Sequence, residues 1–375
     1  MSDVRASAAG IAARFGAPYF LDCARAARFP GELWQELAEA GLIGIGLPVA
    51  YGGGGAGLVD LAAVTEELAA AGCPLQPLIY SQGIGGSIIA AHGTADQQAA
   101  WLPGLAAGTR ILSFAITETE AGSNSQRLVT TAVRGGDDFV LNGAKTFVSG
   151  VERADAVLIA ARTGTTARGK AALSIFLVPP DTPGVRLEPH PLVMVAPDKQ
   201  WNLRLEQVRL PWTALVGELD GGLKALFDGF NPERILSAAL GLGLGRYALG
   251  RAAAYARSRV VWEVPIGAHQ GVAHALAQVK VELESARLHT ERAAALVDAG
   301  QPAGEAANMA KMVAADAAVR SLDAAIQVHG GSGLALETGL SDFWWMVRAL
   351  QVAPVSREMV LNFVAEHALG LPKSY

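Results

Sequence analysis

At 375 residues the chain exceeds the usual size of one domain, so two or three packed domains are the starting expectation. Its 51% of hydrophobic residues and mean hydropathy of +0.29 suit faces buried between domains or subunits, and an oligomer is expected. A net charge of −5 with both signs interspersed leaves no basic stripe for a phosphate backbone, which excludes nucleic acid as a partner.

The N-terminus lacks a basic stretch followed by an apolar run, so no secretory signal is read and the cytoplasm is the expected compartment. Cys23 and Cys73 are the two cysteines; with no CxxC and no histidine cluster, neither a disulfide framework nor a metal site is expected. Over 31–110, the stretches GELWQELAEAGL, LVDLAAVTEELAAAG and TADQQAAWLPGLAAG place apolar residues three and four apart, the pattern of short helices. The uncharged run 68–95 contains Pro74 and Pro77 and reads as an interior segment, not a membrane span. From 111 to 219 the chain reads as strands (ILSFAIT, TTAVRGGDDFVLNG, AKTFVSG, DAVLIAAR, ALSIFLVPP, NLRLEQVRLP) punctuated by Gly-Gly, Asp-Asp and Pro-Pro. Beyond Gly221, helical stretches over 232–257, 269–299, 304–328 and 343–367 make a four-helix bundle. The fold expected is α+β: an N-terminal helical domain (1–112), a middle antiparallel β domain (113–219) and a C-terminal helical bundle (220–375).

At the start of the bundle, Asn231 reads as an N-cap, Pro232 as the first helical residue and Glu233 as the second. An acidic residue there stabilises a helix through its dipole, whatever else it does. ITETEAGSNS (116–125) reads as a strand end and a polar turn through Gly122, with backbone N–H groups and small hydroxyls suited to the edge of a planar heterocycle.

Five phrases stand in order along the chain: LPVAYGGGG (47–55), ITETEAGSN (116–124), LNGAKTFVSG (141–150), RVVWEVPIGAHQ (259–270) and QVHGGSG (327–333). In this order they resemble the acyl-CoA dehydrogenase family over nearly the whole chain. The resemblance implies FAD as cofactor, with Thr117, Gly122 and Ser123 at its pyrimidine edge and phosphate side, Ser123 also near substrate, and Phe147 and Ser149 flanking the isoalloxazine ring. Phe147 stands where many members have tryptophan. Arg259, Trp262 and Gln270 would meet the adenine dinucleotide half of a neighbouring subunit's FAD, an arginine fork being suited to a pyrophosphate. Gln327, Gly330 and Gly331 would approach the same pyrophosphate through backbone, and the two glycines equally suit a helix C-cap. Sharing FAD between chains implies a homodimer or homotetramer.

The reaction the resemblance implies is α,β-dehydrogenation of an acyl-CoA to the trans-2-enoyl-CoA, with electrons passed to an electron-transferring flavoprotein. Many members take the α proton with a glutamate whose position here is Pro354, which also lacks the N–H that would polarise the thioester oxygen; either Val355 or a shifted loop donates instead, or the flavin ribityl hydroxyl alone stabilises the oxyanion. Ser356 and Glu358 keep the rest of that loop's match to the cofactor-contacting motif. Another branch places the glutamate just before an arginine at the start of the bundle, as Glu233 and Arg234 stand here; the resemblance makes Glu233 the base and Arg234 a substrate contact. Two other readings stay open: an oxygen-using flavin oxidase or monooxygenase, and a catalytically silent FAD-binding subunit of a hetero-oligomer. The segment 79–93 corresponds to the family's acyl-tail helix, where Gly83, Gly85 and Gly86 leave room for a bulky acyl group or permit close helix packing.

Overall fold

The computed structural model describes residues 2–167 and 169–373, so the outermost residues of the first and last expected domains lie outside it. The N-terminal part is helical: α1 (Ser2–Arg25), α2 (Gly31–Glu39), α3 (Leu58–Ala70), a π-helical stretch Leu78–Gly86, α4 (Ser87–His92) and α5 (Ala95–Ala106). Thr94 starts α5 with a capping box, its hydroxyl accepting from Gln97 N–H while the Gln97 side chain accepts from Thr94 N–H. The Leu78–Gly86 segment, most of which falls where the resemblance implies the acyl-tail helix, is π-helical; π-helical turns are frequent at functional sites.

The middle part is one eight-stranded sheet in the order β6-β7-β3-β2-β4-β5-β8, with β1 beside β4. Its strands are β1 (Leu112–Ala115), β2 (Thr131–Gly135), β3 (Asp138–Ser149), β4 (Ala156–Thr165), β5 (Ala171–Val178), β6 (Val185–Pro189), β7 (Gln200–Pro211) and β8 (Leu215–Val216). Pairing is antiparallel, including β4 with β5, except that β4 runs parallel to β1 and meets β2 in parallel at Arg162. The Gly-Gly-Asp-Asp phrase makes the β2–β3 hairpin, Gly135 pairing with Asp138 across a turn in which Gly136 takes φ 69°.

The bundle consists of α6 (Gly222–Ser258), α7 (Gln270–Asp298), α8 (Gly304–His329), α9 (Leu340–Val352) and α10 (Arg357–Phe363), with a small hairpin, β9 (Val260–Val261) and β10 (Val264–Pro265), between α6 and α7. Two expectations are corrected here. Helix α6 starts ten residues before Pro232, so Asn231 is no N-cap and Glu233 sits in the helix interior, where a dipole role at the N-terminus does not apply. A proline inside a helix forfeits one backbone bond and is tolerated where packing holds the segment, and Pro232 is buried. The last helix is also broken, since 353–356 interrupts it and Ser356 starts α10 by accepting from Met359 N–H at 3.3 Å.

Helices α3 and α6 approach closely because Gly243 has no side chain; a β-carbon there would lie 2.3 Å from the Glu66 carbonyl oxygen. Beside that contact the buried Glu66 accepts from Arg5 on α1 at 3.0 Å and from Arg246 on α6 at 2.6 Å, tying the N-terminal helices to the bundle. Both cysteines are buried and unpaired. Among the described residues no helix is long and apolar enough to cross a membrane, and no group of acidic, histidine or cysteine side chains could hold a metal ion.

Candidate active site

Three places hold the residues singled out in the sequence. The first is the edge of the sheet at the end of β3. Between Lys145, opposite Leu203, and Val148, opposite Trp201, β3 carries one residue more than β7, a bulge that bends the strand. Phe147 lies in this bulge with φ 56°, a conformation rare for a bulky residue, and half of it is exposed with its ring 4.5 Å from the His190 ring. Thr117 is bound to the same spot, its carbonyl accepting from Thr146 N–H at 2.9 Å. The Thr146 hydroxyl donates to Asn202 Oδ1 at 2.7 Å, an oxygen that also receives His190 Nδ1 at 2.8 Å. Ser149 is half-buried and hydrogen-bonded to the Gln200 side chain, while Gly122 and Ser123 lie exposed on the loop after Glu118.

Beneath this edge lies a buried ion pair that the sequence reading missed. Lys145 Nζ donates to Glu118 Oε1 at 2.8 Å and to the Ile116 carbonyl at 3.1 Å, and Glu118 also accepts from Val129 N–H (2.7 Å) and Thr130 N–H (3.0 Å). Burial pushes the Glu118 carboxyl up, but the bonds from Lys145 and Thr130 outweigh it and hold the group below the usual carboxylate range. Burial draws Lys145 down to about 8 against the pull of Glu118. The pair fastens the loop carrying Thr117 and Ser123 to the strand carrying Phe147 and Ser149. Strand alternation carried the signal: Phe139, Leu141 and Lys145 share the inward face of β3.

The second place is a cleft of about 330 Å³ between the 260–265 hairpin, the start of α7 and the end of α8. Trp262 and Gln327 line it together with His269 and Gly271, and every lining residue comes from the C-terminal part of the chain. Trp262 is 88% exposed with φ 66°, held out on the hairpin tip. Arg259 ends α6 and Gln270 begins α7, both exposed at the margins of the hairpin and outside the residues lining the cleft. Gly330 takes φ 60° as the C-cap of α8, which is the capping role weighed for it, and β-carbons at Gly330 or Gly331 would meet nothing within 4 Å. Apolar walls, an exposed indole, amide donors and open backbone glycines fit an adenine dinucleotide, and the strained aromatic edge at Phe147 with the exposed turn at Gly122 fits a flat heterocycle.

The third place surrounds Glu233 on α6. Burial pushes its carboxyl up to about 7, with Arg234 and Lys311 drawing it the other way. Arg234 has its guanidinium lowered by burial; it donates to Asn231 Oδ1 at 3.2 Å and lies 5.8 Å from the centre of the Phe230 ring. Lys311, also missed, is 1% exposed on α8 and donates to the Val355 carbonyl, one residue beyond Pro354. Val355 thus presents its carbonyl inward. Ser356 is committed to capping α10, and Glu358 is exposed in the first turn of that helix.

The glycines of the π-helical stretch have their space filled. A β-carbon at Gly83 would lie 2.5 Å from Leu236 Cδ1, at Gly85 2.9 Å from Leu112, and at Gly86 2.9 Å from Leu47. Close packing, rather than room for a bulky group, is what they provide.

A three-part fold with a strained aromatic edge, an apolar cleft beside the α6–α7 hairpin and a carboxyl on the bundle defines a class of flavin oxidoreductase. The chain belongs to the acyl-CoA dehydrogenase family: the N-terminal domain of acyl-CoA dehydrogenase matches residues 2–109, the middle domain 113–208 and the C-terminal domain 220–369. It is 48% identical over 374 residues to acyl-CoA dehydrogenase FadE12 of Mycobacterium tuberculosis, covering 99% of this chain and 96% of that protein. Among solved structures it is similar to butyryl-CoA dehydrogenase from Megasphaera elsdenii, with TM-score 0.92, 27% identity and 98% of each chain covered. It is also similar to a glutaryl-CoA dehydrogenase from Mycobacterium smegmatis in complex with FADH2, with TM-score 0.91, 26% identity, and 100% of this chain and 95% of that one covered.

Proposed function

We propose that this protein binds FAD and removes the α and β hydrogens of an acyl-CoA thioester, with Glu233 as the base that takes the α proton. The carrying observation is the setting of Glu233: a carboxyl on α6, raised to about 7 by burial and flanked by two cations, in a chain whose other candidate position holds Pro354. A base poised near neutrality accepts a proton readily and is half-ionised at its working pH. When bound, FAD supplies the acceptor for the hydride leaving the β carbon. Thr117, Gly122, Ser123, Phe147 and Ser149 orient its ring system, and Ser356 and Glu358 border the same site from the 353–358 segment. Arg234 and Ser123 orient the thioester, and Glu233 holds the abstracted proton until product leaves.

The adenine half is held by Arg259, Trp262, Gln270, Gln327, Gly330 and Gly331 of a neighbouring copy, in a homodimer or homotetramer. Val260, Val261, Trp262 and Val264 expose an apolar hairpin suited to that second copy. Electrons then leave to an electron-transferring flavoprotein. Anaerobic titration of the yellow holoprotein with a panel of acyl-CoA thioesters tests this reading. Flavin bleaching by wild type, and its loss by about 10²- to 10⁴-fold in Glu233→Gln with FAD retained, is the expected result. Absence of bleaching by every thioester would instead support the silent-subunit reading.

A further inference from the structure

Tyr80, Ser81 and Gln82 are consecutive on the π-helical stretch, all three are buried, and each binds a different element. The Gln82 amide donates to the Leu105 carbonyl on α5 at 3.2 Å, and the Ser81 hydroxyl accepts from Leu112 N–H on β1 at 3.0 Å. The Tyr80 hydroxyl donates to Asp198 Oδ1, just ahead of β7, at 3.0 Å. Two of these bonds lead to Ser149. Ser113, next to Leu112, donates its hydroxyl to the Ser149 carbonyl at 2.7 Å, and Gln200, two residues after Asp198, donates its side-chain amide to the Ser149 hydroxyl at 2.8 Å. Tyr80 also meets this end of β3 directly: a β-carbon on Gly150, which takes φ 65°, would lie 2.3 Å from the tyrosine oxygen. The phenol is thus a stop against which the backbone just past Ser149 rests. Burial pushes the Asp198 carboxyl up to about 7, and the bond from Tyr80 draws it the other way. The surrounding chain has further ties, since Glu152 accepts from Lys199 N–H at 2.9 Å and from Trp201 Nε1 at 2.6 Å, and Gly150 N–H donates to the Lys199 carbonyl at 3.0 Å. Holding β7 to β3 therefore does not depend on the Tyr80 hydroxyl, whose own contribution is to place residues 149 and 150 relative to the N-terminal helices.

We infer that Tyr80 is a positioning residue for the FAD ring: its hydroxyl, in contact with both Asp198 and Gly150, fixes the end of β3 where Ser149 stands. This rests on the reading that puts Ser149 beside the isoalloxazine. Without the hydroxyl, Gly150 loses its stop and the Asp198 carboxyl its donor, so residues 198–200 and Ser149 are free to shift together. A side chain that orients a cofactor works only as well as the groups behind it hold it in place.

Tyr80→Phe removes the hydroxyl and keeps the ring, and Ser149→Ala removes the side chain that the hydroxyl is inferred to place. Two readouts are taken on the full chain: FAD affinity, by fluorescence titration of the FAD-free protein, and the visible flavin absorption bands of the holoprotein. Each single variant is expected to weaken FAD binding roughly tenfold, as the loss of one buried hydrogen-bonding group would, and to shift the flavin bands in the same direction. Because Tyr80 acts through Ser149, the double variant should stay near the same roughly tenfold loss instead of the roughly hundredfold that independent sites would give. A loss equal to the product of the two single effects overturns the inference, since Tyr80 would then act elsewhere. Wild-type affinity and bands in Tyr80→Phe, alongside a changed Ser149→Ala, refute Tyr80 alone and reduce its bond to a structural tie. Wild-type affinity and bands in Ser149→Ala refute the placement of Ser149 at the ring, and the inference falls with it. If Tyr80→Phe fails to fold, Asp198→Ala takes its place in the same cycle, because it removes the acceptor and leaves the tyrosine; additivity with Ser149→Ala there is equally fatal.

Discussion

Lys145 and Glu118 form a buried ion pair 2.8 Å apart, and its two ends are unequally supported. Glu118 keeps two backbone N–H donors without Lys145, whereas Lys145 keeps only the Ile116 carbonyl without Glu118. Breaking a buried pair by removing one partner destabilises by about 3–5 kcal/mol. Glu118→Gln should therefore fall at the upper end of that range and Lys145→Met at the lower, in urea unfolding of the FAD-free protein. Both should weaken FAD retention, because the pair joins the two segments proposed to orient the ring. Equal losses in the two variants would show that the backbone donors to Glu118 carry no weight.

Glu233 makes a second prediction, one of stability and not of rate. Its folded pKa, about 7, lies above the ordinary 4.5, so the folded protein binds this proton more tightly than the unfolded chain. The associated stabilisation is complete below the unfolded value and is lost as pH rises through the folded one. Glu233→Gln removes the titrating group. Its melting temperature should therefore exceed that of wild type above pH 7, and the advantage should shrink as pH falls toward 4.5. Parallel melting curves across that window would mean that the Glu233 carboxyl is not desolvated in the folded protein.

Much of the architecture was legible because its signals are local. Alternation and Gly-Gly-Asp-Asp punctuation marked β2 and β3, and the capping-box spacing of Thr94 and Gln97 marks α5. What escaped depended on partners distant in sequence. Pro232 and Asn231 look like a helix start because proline and a capping side chain usually sit there, and only packing around α6 carries the helix through them. The two-residue β8 is too short to show a period, and β6 has no buried residue to mark one. For the candidate site, the carboxylate and its arginine were visible as neighbours in sequence, whereas Lys311, which ties α8 to the Val355 carbonyl, left only one trace: a lysine on an alanine stripe.

Phe147 combines strain with exposure, which separates its effects in a test. A residue with φ 56° gains from glycine or asparagine, so Phe147→Asn should leave stability within about 1 kcal/mol of wild type or improve it. The same change removes the ring that packs on His190 and is proposed to flank the isoalloxazine. Flavin fluorescence of the holoprotein should rise as that aromatic contact is lost, with melting of the FAD-free protein little altered. A large loss of stability with unchanged fluorescence would make Phe147 a packing residue and remove it from the cofactor site.

Gly83 and Leu236 give the last prediction, because they join the π-helical stretch to the turn of α6 that follows Glu233. The Leu236 side chain occupies the space a Gly83 β-carbon would need, 2.5 Å from Cδ1, and Leu236 is fully buried. Gly83→Ala alone must push that leucine aside, and overpacking of this kind costs roughly 1–3 kcal/mol. Leu236→Ala alone leaves a cavity and costs about 2–5 kcal/mol. Combined, the alanine at 83 refills part of the space vacated at 236, so the double variant should be clearly more stable than the sum of the single losses predicts, by 0.5 kcal/mol or more, about the lower limit for contacting residues. Because Leu236 lies three residues after Glu233, the Leu236→Ala variant should also relax acyl-chain selectivity in the thioester panel. Strict additivity in urea unfolding would show that the two positions do not touch, and with it would go the account of the glycines as a close-packing surface.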